Sequence, residues 1–219
     1  DSAVKSGSAA ARTPATATGV DRLADWLAER TRILVLAGQG TAGVADQTTR
    51  LVEALGAVAV STTSGRGTVP EDHPRSLGHE FGGTEAGPLN DLVAASDGVL
   101  ALGCKFSHNA SRGFALRIPA EKLAHVDASA EVIGANYPAS EEIVGRCEDV
   151  IPELLRRVEE RPGWPEAELA TWRARGHAGT WNDELEPVLG DGRTSGDLIG
   201  GLRAALPRDA IVVTDSGRH

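Results

Sequence analysis

ILVLAGQGTAG, residues 33–43, is the stretch from which the fold is read. It opens with five apolar residues in succession, as expected of a strand in a parallel sheet covered on both faces. It ends in the pattern G-x-G-x-x-G, formed by Gly38, Gly40 and Gly43. A helical pattern follows, with Val44, Leu51, Val52 and Leu55 as its apolar positions, and Gly56 stands where a left-handed residue closes a helix. Strand, glycine turn and helix in this order form the first half of a right-handed parallel crossover.

Working outward, the same alternation continues. AVAVSTT (57–63), GVLALG (98–103), KLAHVD (122–127) and EIVGRC (142–147) read as further strands. Leu89, Leu92 and Val93 mark one intervening helix. Val150, Ile151, Leu154, Leu155 and Val158 stripe another over 148–160, and an upstream helix is expected over 20–29. Repetition of this kind means an α/β fold: a doubly wound, mainly parallel sheet with helices on both faces, in the Rossmann-like manner. Residues 20–160 form that domain. Residues 1–19 are small, polar and aperiodic, the composition of a linker. Residues 161–193, opening on Pro162 and punctuated by Trp172 and Trp181, read as a helical linker. Residues 194–219 begin a fresh helix–strand unit. The sequence starts on Asp1 and has no methionine, so both ends are expected to be internal to a longer product.

Composition narrows the function. The 219 residues carry 22 basic and 31 acidic side chains, a formal net charge of −9, and no basic cluster reverses it locally. Nucleic acid is therefore not an expected partner. No apolar run approaches the length of a membrane span. Cys104 and Cys147 fit neither a disulfide framework nor a zinc site, and a cytoplasmic setting is expected. The six histidines show no metal-ligand spacing.

The glycine turn has two readings. It is either a tight turn alone or a place where backbone approaches a pyrophosphate at the start of a helix. A dinucleotide fingerprint also needs a carboxylate about 20 residues on, to hold a ribose. The second strand ends instead in Thr62, Thr63 and Ser64, which disfavours a nicotinamide dehydrogenase. Asp127, at the end of a later strand, is either a ribose-type carboxylate or a helix amino-cap for the segment beginning at Ala130.

Four phrases in order, ILVLAGQG, GAVAVSTTSGRGTVPEDHPRSLG, ASDGVLALGCKF and KLAHVDASAEVIGANYP, resemble the central domain of acetolactate synthase-like, thiamine-diphosphate-dependent enzymes. The segment TTSGRGTVPEDHPRSLG carries most of the resemblance, and residues 198–219 are similar to the opening of the family's carboxyl-terminal domain. The resemblance implies a parent enzyme using thiamine diphosphate and Mg²⁺ on a small 2-oxo acid, as a homodimer or homotetramer. Its catalytic glutamate and metal ligands would lie in flanking domains, so the chain alone is expected to be inactive. Gly217 and His219 would meet the diphosphate, and Arg218 stands where acetolactate synthases usually carry Gln. Gly190-Asp191-Gly192 imitates the metal motif, but it precedes the strand it should follow and reads as a surface turn.

In this family the central domain holds FAD in some branches, an adenine nucleotide in another, and nothing in a third. The matching positions are Gly38, Gln39, Gly40, Thr62, Thr63, Gly78, His79, Gly103, Lys105 and Asp127. Two departures weigh against a flavin. The family's Arg-Phe-Asp-Asp-Arg is here Lys105-Phe106-Ser107-His108-Asn109, and its Gly-Asp after the last strand is Gly145-Arg146. A lysine does not reproduce the planar fork of arginine. The competing reading is a free-standing nucleotide-binding or regulatory module of the same fold. A sirtuin-type deacylase is excluded, because two cysteines cannot supply its zinc quartet.

Overall fold

The computed structural model describes residues 17–79, 81–83, 86–177 and 194–213. The chain divides into two compact units, Asp1–Thr180 and Trp181–His219.

The first unit is built on six strands: β1 (Ile33–Ala37), β2 (Val58–Ser61), β3 (Ser76–His79), β4 (Gly98–Leu102), β5 (Leu123–Asp127) and β6 (Glu141–Val144). Every pairing is parallel, in the order β3-β2-β1-β4-β5-β6. The expected α/β sheet is therefore present, with the strand order of dinucleotide folds. All residues of β1, β2 and β4 are buried, as their unbroken apolar runs require.

Alternate residues of each strand feed opposite faces. On one face Ile33, Val35, Leu100, Leu102 and Val126 pack against α1 (Ala17–Ala28), α2 (Ala45–Ala54) and α4 (Cys147–Leu155). On the other, Leu34, Leu36, Val58, Val60 and Val99 pack against α3 (Gly87–Ala95) and the segment leading through Trp164 into α5 (Glu166–His177). Within the stretch read as a linker, Trp164 and Leu169 are thus core residues. The turn from α2 into β2 holds Gly56 at φ +58, as its cap position requires.

Asp97 fixes the entry to β1. Its carboxylate accepts the Thr31 N–H at 2.8 Å, the Thr31 hydroxyl at 3.0 Å and the Arg32 N–H at 2.9 Å.

β3 lies in a stretch that reads as loop from sequence. Its four residues SLGH include Gly78 at φ +83, and its register against β2 shifts between Ala59 and Ser61. The second unit contains α6 (Ser195–Ala205), opened by a capping box in which Thr194 and Asp197 exchange side-chain-to-backbone hydrogen bonds. Ile211, Val212 and Val213, expected to begin a strand, are not in one. A strand exists only where a neighbour supplies its hydrogen-bond partners, and none pairs with them among the described residues.

Candidate functional site

The strand order reverses direction between β1 and β4, and loops leaving the two strands diverge there to opposite faces of the sheet. An open crevice of about 730 Å³ occupies that position, beyond the carboxyl ends of the strands. Seven of the expected residues line it: Gln39, Gly40, Thr62, Thr63, Gly103, Lys105 and Asp127. Gly38 is not among its lining residues and packs against the turn after β4. Gly78 and His79 do not line it; they sit at the end of the edge strand, where His79 Nδ1 lies 3.3 Å from Glu71. Gly217 and His219 lie outside the described residues, as does Gly190-Asp191-Gly192.

The glycine turn does not run straight into a helix. Residues Gln39–Val44 form a 3₁₀ segment, and α2 starts at Ala45. The glycines here serve close packing between two turns. A Cβ on Gly38 would lie 2.1 Å from the Gly103 carbonyl oxygen, and one on Gly40 would lie 2.7 Å from the Gly103 Cα. The Gly38 N–H donates to Leu102 O at 2.9 Å and the Gly40 N–H to Gly103 O at 3.2 Å. These two donors are thereby committed to the protein. The turn after β1 is clamped to the turn after β4, which is the tight-turn reading of these glycines.

The TTSGRGTVPEDHP segment is the next wall, and its composition now has a physical account. Thr62 donates its N–H to Ala37 O and accepts the Gly65 N–H on its hydroxyl at 3.2 Å. A Cβ on Gly65 would lie 2.2 Å from the Ala37 carbonyl oxygen, so only glycine lets the loop close over the end of β1. The Thr68 hydroxyl lies 3.0 Å from that of Thr41, which in turn donates to Gly38 O at 2.6 Å. Further along, the Arg75 N–H donates to His73 Nδ1 at 3.1 Å, and His73 Nε2 lies 3.1 Å from the Glu53 carboxylate. The segment is a stitched scaffold that presents Thr62, Thr63 and Ser64 to the crevice.

The β4–β5 loop supplies Lys105, Ser107 and Asn109. Lys105 is exposed, whereas the following Phe106 is buried at φ +50. The Phe106 ring meets His125 edge-on at 5.1 Å and Tyr137 at 4.8 Å. His125 on β5 donates its Nε2–H to the Cys104 carbonyl at 2.9 Å. Burial pushes the His125 pKa down, so the ring is held neutral.

Asp127 takes the Ser129 N–H on Oδ1 at 2.9 Å. This closes an Asx turn, and residues 130–134 form further turns, so the amino-cap alternative is replaced by a local turn. Cys104 and Cys147 also line the crevice, yet burial pushes each thiol up to about 12, and neither is poised as a nucleophile.

Sequence reasoning missed Glu148. It lies in the first turn of α4 and faces the crevice beside Arg146. Arg146 Nη2–H donates to Oε1 at 3.0 Å and Nε–H to Oε2 at 3.3 Å. The acidic pair Glu148-Asp149 ahead of Val150 and Ile151 marks a helix start, but nothing in that pattern says which loop the carboxylate faces. Among the described residues, no three His, Cys, Asp or Glu side chains converge as a metal site, and no helix is long and apolar enough to cross a membrane.

Comparison with known proteins agrees with this geometry. A probable acetolactate synthase large subunit of Methanocaldococcus jannaschii is 34% identical over 139 residues, covering 62% of this chain and 23% of that protein. An acetolactate synthase large subunit of Mycobacterium tuberculosis is 31% identical over 189 residues, 84% of this chain and 29% of its own length. A sulfoacetaldehyde acetyltransferase of Roseovarius nubinhibens is 26% identical over 224 residues, 91% of this chain and 37% of its own length. The chain thus spans between about a quarter and just over a third of these relatives. Residues 20–154, which hold all six strands and the crevice, match the family model of the thiamine pyrophosphate enzyme central domain, and the chain belongs to that family.

Proposed function

We propose that the chain acts as the central domain of a larger thiamine-diphosphate-dependent enzyme that decarboxylates or joins small 2-oxo acids. The observation that carries this reading is the match of residues 20–154 to the family's central domain, on a sheet whose relatives include acetolactate synthases. Thiamine diphosphate, when bound, supplies the carbanion stabilisation such reactions need. The described residues do not fit that group: they offer no convergent ligands for the Mg²⁺ that would accompany its diphosphate. No catalytic step is therefore assigned to them. In this reading flanking domains hold the cofactor, Gly217 and His219 meet its diphosphate, and the enzyme is a cytoplasmic homodimer or homotetramer.

The test compares the product of the complete reading frame with the 219-residue chain. Pyruvate consumption is followed with and without thiamine diphosphate and Mg²⁺. The complete protein is expected to turn over only with both, and the chain alone not at all. Turnover by the chain alone, or a complete protein indifferent to thiamine diphosphate, overturns the proposal.

A further inference from the structure

A diphosphate held at a glycine turn needs room beside the missing side chain, and donors or cations not already engaged. In this crevice the open side of Gly43, two backbone donors and one of the two cations are already taken. A Cβ on Gly43 would lie 2.9 Å from Glu148 Oε1, so the glycine's vacant side is covered by a carboxylate of the protein itself. That carboxylate occupies the guanidinium fork of Arg146 through both of its oxygens. The Gly38 and Gly40 N–H groups point to the carbonyls that end β4. Four charged side chains line the crevice, Lys105 and Arg146 against Asp127 and Glu148, and their formal charges cancel. The remainder of the chain is acidic, with a net charge of −9 overall. An incoming phosphate meets no net attraction.

We infer that Glu148 is the resident anion of the glycine turn, and that the Glu148–Arg146 pair closes the crevice to diphosphate-bearing ligands such as dinucleotides. The inference stands on the crevice geometry and not on the proposed reaction. Removing the Glu148 charge leaves Lys105 and Arg146 opposite Asp127, so the crevice becomes net positive. It also frees a planar fork suited to phosphate oxygens. The pair therefore determines what the crevice accepts.

The test uses ADP and inorganic pyrophosphate as probes, titrated calorimetrically into the chain and its variants. Glu148→Gln is expected to bind both probes at least ~10-fold more tightly than the unmodified chain, a difference of ~1.4 kcal/mol. Glu148→Ala provides a second reading of the same prediction, and both changes fall on a side chain that is 35% exposed. Adding Arg146→Ala to Glu148→Gln is expected to return the affinity to that of the unmodified chain. Equal affinity in the unmodified chain and both Glu148 variants overturns the inference. A gain that survives the loss of Arg146 does the same, because the anion would then be held elsewhere. None of these binding outcomes depends on turnover of the complete enzyme.

Discussion

His125 sits on β5 with its Nε2–H on the Cys104 carbonyl, while its buried Nδ1 has no hydrogen-bond partner among the described residues. Burial lowers its pKa from an ordinary 6.5, more strongly than the Cys104 carbonyl, Asp127 and Glu142 raise it. The unfolded chain therefore takes up a proton on this ring at a higher pH than the folded chain does. Stability is full above about 6.5 and falls as the pH drops below it. Thermal unfolding followed from pH 7.5 to 5 should show a falling midpoint, and His125→Gln should flatten the decline. Parallel slopes in both proteins would remove His125 from the account. At this scale the sequence was only partly legible. Gln39, Thr62, Lys105 and Asp127 are legible only through the family resemblance, and they share one crevice because each ends or follows a strand and strand ends gather on one side of a parallel sheet. Glu148 was not, because its role depends on the contact with Gly43, more than 100 positions away in the sequence.

Among the elements, the strands that were legible are those whose residues are apolar on both faces: β1, β2, β4 and β5. β6 is Glu141–Val144 and not 142–147: exposed Glu142 and half-buried Glu141 hide its start, and Cys147 already opens α4. β3 was invisible for a related reason: an edge strand of four residues with a left-handed glycine has neither alternation nor an apolar run. α5 was expected as a helix, but its anchoring was not. Trp164, 1% exposed, donates its indole N–H to Ile33 O at 3.0 Å and meets Trp172 edge-on at 6.4 Å. Arg32 reinforces the junction by pairing with Glu168 at 2.7 Å. Trp164→Ala should cost ~3–5 kcal/mol, as for other fully buried aromatics cut to Ala. Urea unfolding measures that loss, and limited proteolysis should cut near residue 163 sooner in the variant. A change under ~1 kcal/mol would mean that α5 is not held by this anchor.

For the molecule as a whole, one property of the second unit stands apart. Ile211 is 91% exposed and Val213 88%, and Leu198, Ile199 and Leu202 of α6 are about half exposed. Apolar surface of this kind associates unless something covers it. The isolated chain should therefore show concentration-dependent association by light scattering, and Ile211→Lys with Val213→Lys should reduce it. Unchanged scattering in the double variant would locate any association elsewhere. In the first unit the clamp of Gly38 and Gly40 onto Gly103 has a different kind of consequence. Because the floor of the crevice is backbone locked to backbone, its ligand preference rests on a few side chains at the rim and requires no remodelling of the fold. Glu148 becomes Gln or Lys by a single nucleotide change. On the inference drawn from Glu148, a change in what the crevice accepts lies one mutational step away and leaves the main chain as it is.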